Sequence, residues 1–430
     1  MSTAFTLLLA CVILASGMAI HDGVAARSLI EVLAAVAIAS MALSARTADV
    51  DFIARATHGL AIATAVPAVW LIIQLLPTPI GAHSIWANAN EAMGQHSWGH
   101  ISIDLGQTIL ALTFYLANVV LILVGILVAK DRRRAELILF ALTAITAITI
   151  AGLLIGKWGG IAGVSGSDEI LGGVSALGIL LSLTSAARTF ERRESETAKT
   201  VELTENFRTT LIIIGVALIV DIVGLLTGAT TNVVLVALFG IATFGSVQVI
   251  RRVGLGNWAA LTLVGTMTVA AAMVVIWRYD SSRALSPLFQ FATGLSADAA
   301  SMTQRMLSDS RWTGTGAGTF AAVLPIYRNL GSSVTQPPTT ISGLAVELGL
   351  PMTLFVIALA AWLIAVLYHA ALNRGRDSFY SAAAAAGVII LLGEAFCDSS
   401  LLNASVAVFG DALIGLGLAQ RFSGRDNPLH

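Results

Sequence analysis

The segment QTILALTFYLANVVLILVGILVA, residues 107–129, contains 23 consecutive residues without a single charged side chain. At a rise of about 1.5 Å per residue, a helix of this length spans the ~30 Å of hydrocarbon in a bilayer. Apolar runs of similar length recur along all 430 residues, so that 57% of the chain is hydrophobic and only 11% is charged. A soluble domain carries about 25% charged residues. The composition therefore excludes a large soluble fold and predicts a multi-pass membrane protein.

These apolar segments predict an all-α, polytopic transmembrane bundle of about twelve helices. The stretch 341–370 is longer than a single membrane crossing needs. We expect its first turns to form a separate segment that ends at Pro351. The predicted spans are residues 4–20, 28–45, 59–76, 107–129, 136–155, 170–187, 210–226, 232–250, 258–277, 341–370, 379–397 and 402–420.

Positively charged residues are distributed unequally between the two ends of these spans. When successive connections are assigned to alternate sides, 17 of the 24 Lys and Arg residues fall on one side and 7 on the other. In membrane proteins the cytoplasmic connections carry the excess of positive charge. We therefore predict an inner-membrane protein with both its N and C termini in the cytoplasm.

Two connections on the less positive, periplasmic side are too long to be simple turns. Residues 77–106 contain no Lys or Arg, whereas residues 278–340 contain five of the seven positive residues on this side. The predicted organisation is therefore residues 1–277, with nine helices and the first loop; residues 278–340, the large loop; and residues 341–430, with three helices. We expect the large loop to carry the function.

Local patterns predict two short helices within the large loop. Ser296 is a favourable N-cap residue and Asp298 lies in the turn that follows, which indicates a helix over residues 297–307. The sequence GTGAG then forms a turn at residues 314–318, and helical periodicity resumes over residues 319–330. The large loop is therefore expected to be helical.

The glycine-rich turn and its neighbouring arginines together suggest a site for a diphosphate group. A flexible turn that opens into a helix exposes free backbone N–H groups and the positive end of the helix dipole. Guanidinium groups bind phosphate oxygens through two parallel hydrogen bonds. The alternative is structural, with the glycines allowing the loop to fold back over the membrane. The residues concerned are Gly314, Gly316, Gly318, Arg305, Arg311 and Arg328.

Polar residues elsewhere are weaker signals. His83, His96 and His100 are separated by 13 and 4 residues, which does not match a zinc motif, and no metal is expected. Ionisable residues inside predicted spans are functional candidates because charge is costly in hydrocarbon, although each can instead pair with a neighbouring helix. These residues are Asp221, Glu394 and Asp411.

Parts of the chain resemble the O-antigen ligase and polymerase family, which comprises bacterial integral-membrane glycosyltransferases acting on lipid-linked glycans. The similar motifs are LLPTPIG at residues 75–81, ISIDLGQT at 101–108, Arg305 eleven residues before Gly316, GTGAGTF at 314–320, PIYR at 325–328 and AVELGL at 345–350. About twelve spans and one large late loop are also typical of the family.

The resemblance implies a glycosyltransferase C-like bundle and an enzyme of lipopolysaccharide or exopolysaccharide synthesis. Such an enzyme transfers a glycan from a polyprenyl-pyrophosphate carrier to a glycan or lipid acceptor at the periplasmic face. The implied partners are this lipid-linked donor, the acceptor, the lipid bilayer and a chain-length regulator. Neither a cofactor nor nucleic acid is expected.

The resemblance also assigns roles to particular residues. Arg305 and Arg311 would stabilise the departing pyrophosphate, and Glu347 would orient an arginine or accept a proton from the attacking hydroxyl. The alternative for Glu347 is a structural role, either as an ion-pair partner or as a residue of the membrane interface. The implied substrate-binding residues are Arg328, Gly314, Gly316, Gly318 and Tyr327, the last by stacking on a sugar.

The chain departs from the family pattern at three places. Nine residues before Glu347, where family members commonly carry a histidine, it has Pro338, and GATTN at residues 228–232 replaces an arginine-containing motif. An asparagine-rich motif often seen after the fifth span reads GVSGSDEILGG at residues 163–173. These differences favour a divergent polymerase over a ligase. Two other classes stay open: a secondary transporter that uses Asp221 and Asp411, and a non-catalytic flippase or scaffold of envelope polysaccharide assembly.

Overall fold

The structure, a computed structural model, describes most of the chain. The described residues are 2–44, 47–78, 81–94, 98–160, 168–196, 202–253, 287–293, 295–310, 312–328, 334–373 and 377–422. The predicted span 258–277, together with Arg311 and His96, lies outside these ranges. Within them, all regular secondary structure is helical, with fifteen α-helices and two 3-10 turns at Pro287–Phe289 and Ser400–Leu402.

The helices follow the apolar segments of the sequence closely. They are α1 (Ser2–Ile20), α2 (Val24–Ser44), α3 (Thr47–Leu75), α4 (Ser84–Met93), α5 (Leu105–Val128), α6 (Arg132–Gly159), α7 (Asp168–Glu196), α8 (Glu202–Gly228), α9 (Thr231–Val253), α10 (Ala297–Asp309), α11 (Phe320–Tyr327), α12 (Thr340–Leu348), α13 (Leu350–Asn373), α14 (Ser378–Cys397) and α15 (Ala404–Phe422).

Nine helices in the described part of the chain are long and apolar enough to cross a membrane, namely α1, α2, α5 to α9, α13 and α14. Helices α3 and α15 occupy two further predicted spans, and the apolar part of α3, Gly59–Leu75, is shorter than the nine. The prediction of a multi-pass helical membrane protein is therefore confirmed at this level.

The long apolar stretch at residues 341–370 is divided into two helices, as its length predicted. Thr339 begins α12 with a capping box, in which its hydroxyl accepts the N–H of Ser342 at 3.1 Å and the Ser342 hydroxyl accepts the N–H of Thr339 at 3.2 Å. The break to α13 falls at Gly349, where φ is +82°. A Cβ atom there would lie 2.3 Å from the carbonyl oxygen of Trp312. The first helix was predicted to end at Pro351, and the observed break at Gly349 lies two residues before that position.

Helices α7 and α14 form the interior of the bundle, whereas α13 lies at its periphery. The buried share of the most apolar window is 78% for α7 and 72% for α14, but only 17% for α13. Helices α5 and α15 approach each other at a pair of glycines, because a Cβ at Gly125 would lie 3.2 Å from the Cα of Gly415. Small residues permit such close packing between membrane helices.

The described parts of the two long loops, within residues 77–104 and 287–340, lie at one end of the bundle, which we call the loop face. The two segments meet where the N–H of Ile103 donates to the carbonyl of Thr315 at 2.9 Å. The described part of the large loop shares a small hydrophobic core with α12, which includes Phe289, Met302, Met306, Phe320, Val323, Leu324 and Val346. This described part is thus a folded cap on the bundle.

Two histidines of the first loop, His83 and His100, make structural contacts. The Nδ1 atom of His83 accepts the N–H of Ile85 at 3.3 Å and so caps α4. His100 Nδ1 lies 2.9 Å from the carbonyl oxygen of Leu75, and its ring packs 5.4 Å from that of Trp86. His83 therefore caps α4 within the first loop, whereas His100 joins that loop to the end of α3.

Candidate functional site

Both helices predicted in the large loop are present. Helix α10 begins after Ser296, whose hydroxyl accepts the N–H of Ala299 at 3.1 Å, as the capping pattern predicted. Helix α11 is shorter than expected and ends at Tyr327, two residues after Pro325. Together they position the glycine-rich turn between them.

The glycine-rich turn crosses the C-terminal end of α12. Gly314, Gly316 and Gly318 have φ angles of +76°, +108° and +76°, a region that residues with a side chain rarely adopt. A Cβ at Gly314 would lie 2.1 Å from the carbonyl oxygen of Glu347, and one at Gly316 would lie 2.5 Å from the hydroxyl oxygen of Ser102. The glycines are needed both for the backbone conformation and for this close approach.

Free backbone N–H groups were expected in this turn, and the structure instead engages them within the chain. The N–H groups of Thr315 and Gly316 donate to the carbonyls of Val346 and Glu347, each at 3.0 Å. Those of Gly318 and Phe320 donate to the side-chain carboxylate of Glu347. The turn therefore binds an anion, but that anion is a carboxylate of the same chain, because α12 packs directly against it.

Glu347 is the chemically distinctive group at this position. Its Oε1 atom accepts the N–H of Phe320 at 3.0 Å. Burial raises the pKa of Glu347 to about 7, and the hydrogen bonds from Gly318 and Phe320 oppose this rise only in part. A carboxyl group with such a pKa is divided between its two protonation states near neutrality, which suits a group that accepts a proton from a hydroxyl.

A buried glutamine of α3 ties the glycine-rich turn to the bundle. The Gln74 side-chain amide donates to the carbonyls of Thr313 at 3.1 Å and Glu347 at 3.0 Å, and its oxygen accepts the N–H of Ala317 at 3.2 Å. Trp70, one turn earlier, donates to the carbonyl of Leu348 at 3.0 Å. Helix α3 thus positions both the turn and the backbone around Glu347.

We expect Gln74→Leu to destabilise the protein by about 3 kcal/mol, because it removes three hydrogen bonds to buried backbone groups. A matched control is Gln420→Leu, since the equally buried Gln420 donates a single hydrogen bond, to the carbonyl of Ala129. Thermal unfolding in detergent, followed by intrinsic fluorescence, should show a clearly larger loss for Gln74→Leu. Equal losses would mean that Gln74 does not hold the turn.

The described arginines of the large loop lie on its outer surface. Arg305 is exposed, and its Nη2 atom donates to the carbonyl of Tyr327 at 3.2 Å. The Tyr327 hydroxyl in turn donates to Oδ2 of Asp309 at 2.6 Å, and burial together with this bond raises the pKa of Tyr327 to about 12. Arg328 is also exposed. These contacts join α10 to α11.

A cavity of about 770 Å³ lies between the glycine-rich turn and the bundle. Residues of α1, α2, α3, α5, α7, α12 and α13 line it, together with the Ser400–Leu402 turn and its neighbours. Gln107 and Asn118 of α5 both contribute, so the cavity extends about 16 Å along that helix. Among the predicted site residues, Glu347 and Gly318 line this cavity, whereas Arg305, Arg328 and Tyr327 do not.

Arg27, in the first turn of α2, is the one Lys or Arg among the described residues that line the cavity. Its Nε atom donates to Oδ1 of Asp22 at 2.8 Å, and its Nη2 atom bonds both to Oδ2 of Asp22 and, at 3.2 Å, to the carbonyl of Leu402. The guanidinium also lies 5.7 Å from the ring centre of Phe114. These contacts fix its orientation, and Nη1 takes part in none of them.

The other charged residues of the lining are acidic, and apolar side chains make up the larger part of it. Glu31 lies one turn after Arg27 on α2, and Glu169 lies in the first turn of α7. The Ser399 hydroxyl donates to Oε2 of Glu169. Asn118 adds a side-chain oxygen that has no hydrogen-bond partner among the described residues. Among the described residues, the lining thus combines one guanidinium with carboxylates and with neutral polar side chains.

Three residues of this site were not singled out from the sequence: Arg27, Gln74 and Glu169. Two of them have a sequence feature that could have identified them. Gln74 is a polar residue inside an otherwise apolar span, and Arg27 is one of only two basic residues on the less positive side outside the large loop. Glu169 gave no such signal, because an acidic residue at the start of a helix is common.

Comparison with known proteins assigns no function to this site. No protein-family model matches the chain, and no curated protein matches it either.

Proposed function

We propose that this protein is a glycosyltransferase of the polysaccharide polymerase or ligase type. It would transfer a glycan from a polyprenyl-pyrophosphate carrier to a sugar hydroxyl, in the cavity below the loop face. The loop face would be the periplasmic side of the inner membrane, with both termini cytoplasmic. The observation that carries the proposal is that one cavity holds both a carboxyl group with a pKa of about 7, Glu347, and an oriented guanidinium, Arg27.

In the proposed reaction Glu347 is the general base. The acceptor hydroxyl oxygen forms a bond to the anomeric carbon of the donor sugar while its proton passes to the carboxylate of Glu347. The bond between the anomeric carbon and the pyrophosphate oxygen breaks, and its electron pair leaves with the pyrophosphate. The amides of Gly318 and Phe320 keep the carboxylate oriented during this step.

Arg27 is proposed to bind the pyrophosphate. Negative charge increases on this leaving group as the glycosidic bond breaks, and a preoriented guanidinium stabilises it without further reorganisation. Arg27 lies in the first turn of α2, where the helix dipole also favours an anion. Arg305 was expected in this role, but its exposed position on the outer surface of the cap separates it from the lining of the cavity.

We expect Arg27→Ala to weaken binding of farnesyl diphosphate to the purified protein by about tenfold or more, the effect of losing charge-assisted hydrogen bonds. Arg305→Ala is the matched control and should bind the probe within about twofold of the wild-type affinity. Microscale thermophoresis in detergent measures both, with farnesyl monophosphate as the weaker reference ligand.

The outcomes of this comparison separate the possible sites. If Arg305→Ala loses binding and Arg27→Ala retains it, the pyrophosphate binds at the outer surface of the cap. If the wild-type protein itself does not bind the diphosphate, the proposed transfer reaction is wrong. Polysaccharide profiles of a deletion strain complemented with the same variants provide the test in cells.

Secondary transport is a second candidate, because carboxyl groups lie buried within the bundle. Glu394 is fully buried, and neither of its carboxylate oxygens has a hydrogen-bond partner among the described residues. Asp221 is also fully buried, where Oδ2 accepts the hydroxyl of Ser182 at 2.7 Å. Intramembrane carboxyls of this kind serve as proton or ion sites in transporters. Loss of solute uptake in Glu394→Gln cells with unchanged polysaccharide would favour this class.

A further inference from the structure

We infer that a single sodium ion binds inside the bundle, where α7 and α14 meet the Ser400–Leu402 turn, with Glu394 as its principal ligand. This site is separate from the reacting groups of the proposed transfer, and it stands whether or not the protein transfers a glycan. The inference follows from the burial of Glu394, its place on its helix and the atoms around it.

Glu394 is a carboxyl group without a stabilising partner. It is fully buried, and neither of its carboxylate oxygens has a hydrogen-bond partner in the described part of the chain. Within that part, the charged side chain that acts on Glu394 is Asp398, a second acid. An ionised carboxylate in such a place is costly unless an opposite charge compensates it. A bound cation supplies that charge.

The position of Glu394 along α14 also favours a cation. Glu394 lies in the last turn of this helix, which ends at Cys397 and carries no basic residue in that turn. The C-terminal end of a helix is the negative end of its dipole, where a carboxylate is unfavourable and a cation is favourable. The helix end and the carboxylate therefore attract the same kind of ligand.

Gly173 of α7 leaves room for a small ion beside this carboxylate. A Cβ atom at Gly173 would lie 3.2 Å from Oε2 of Glu394 and 3.3 Å from the hydroxyl oxygen of Ser400. The two oxygens thus approach one point of α7, from α14 and from the turn that follows it. Carboxylate and hydroxyl oxygens are suitable ligands for a hard cation. Because even a methyl carbon would be in tight contact there, sodium fits better than the larger potassium ion.

The cavity below the loop face gives the ion a route to this site. Glu169 and Ser399 line the cavity, and the Ser399 hydroxyl donates to the Glu169 carboxylate. Ser399 directly precedes Ser400, and Glu169 lies four residues before Gly173, on the same face of α7. A cation in the cavity therefore has to move about one helical turn, about 5.4 Å, along α7 to reach Glu394.

Binding of radioactive sodium to the purified full-length protein in detergent tests the inference, with choline chloride keeping the ionic strength constant. At about pH 8 we expect about one ion per chain, and binding about tenfold weaker or more in Glu394→Gln, which cannot carry the charge. Gly173→Ala should weaken binding as well, because its methyl group occupies the space beside the two oxygens.

Two control variants match these substitutions and should bind sodium like the wild type. Glu91→Gln removes an exposed carboxylate of α4. Gly215→Ala adds a methyl group to α8 at a position where a Cβ would have no atom within 4 Å. Together they separate the site from a general effect of charge or of helix propensity.

Thermal unfolding gives a second readout. The wild type should unfold at a higher temperature in sodium chloride than in choline chloride, because a ligand that binds only the folded chain stabilises it. Potassium chloride should give a smaller increase. Glu394→Gln should unfold at the same temperature in all three salts. In choline chloride this variant should be at least as stable as the wild type, since its neutral amide removes the uncompensated charge.

Three results would overturn the inference: no sodium bound by the wild type, sodium binding that Glu394→Gln leaves unchanged, or equal stabilisation by potassium and sodium. The first of these, with an unfolding temperature independent of the salt, would mean that a proton neutralises Glu394 instead. None of these results depends on the farnesyl diphosphate measurement, so the sodium site and the transfer reaction are tested separately.

Discussion

Replacing Glu347 by glutamine is expected to reduce glycan transfer by about 10²- to 10⁴-fold, the contribution of a general base. Glutamine keeps one acceptor oxygen for the amides of Gly318 and Phe320, so the turn can retain much of its packing, but it cannot take the proton. Transfer is measured as polymer formed by membranes that contain the lipid-linked glycan of the source strain. Glu91→Gln, which changes an exposed carboxylate of α4, serves as the matched control.

The wild-type rate should also depend on pH in a defined direction. A base must be deprotonated to act, and the pKa of Glu347 is about 7. Transfer should therefore rise from about a tenth of its maximum at pH 6 to about nine-tenths at pH 8. In Glu347→Gln the residual rate should lose this dependence. A variant rate within threefold of the wild type, with an unchanged pH profile, would leave Glu347 a purely structural role.

The variant Gly314→Ala is expected to cause the largest loss of stability at the loop face. Its Cβ would lie 2.1 Å from the carbonyl oxygen of Glu347 and 2.7 Å from the backbone nitrogen of Gly349. These are backbone atoms, so no side chain can rotate to relieve the contact. The positive φ adds about 1–2 kcal/mol for a residue with a side chain. We expect the turn to separate from α12, with a total loss of more than about 4 kcal/mol.

Gly94→Ala isolates the contribution of the backbone angle. Gly94 follows α4 with φ of +62°, close to the +76° of Gly314, but a Cβ there would have no atom within 4 Å. This control should lower the thermal unfolding midpoint only slightly. If the two variants unfold at the same temperature, the turn is not packed on α12, and the orientation of Glu347 by the turn amides is wrong as well.

The large loop shows how far local sequence patterns predict structure. Ser296 begins α10 as its capping preference indicated, because an N-cap depends on residues two or three positions away. The glycines at 314, 316 and 318 were correctly read as a turn that precedes a helix. The hydrogen-bond partners of the turn's N–H groups could not be predicted, because two of these partners, Glu347 and Gln74, lie on other helices.

The candidate site was predicted only in part for the same reason. Glu347 was expected where the large loop re-enters the membrane, and it lines the cavity there. Arg305 was favoured for its place in a motif, but its exposure and its contact with the carbonyl of Tyr327 depend on how α10 packs against α11. Arg27 lies in no motif, and its place in the cavity depends on how α2 packs against α5 and the Ser400–Leu402 turn.

The sequence by itself determined that this is a helical membrane protein with two long polar segments, because partition into lipid depends on the length and apolarity of each run. Helix caps and the glycine turn were equally local. Only the tertiary structure decided which polar groups meet. Gln74 and Glu347 are 273 residues apart in the chain and share a hydrogen bond. Such pairs form because polar groups buried between helices have no water to bind and must form hydrogen bonds with each other. The order of residues along the chain does not show which helices will be neighbours.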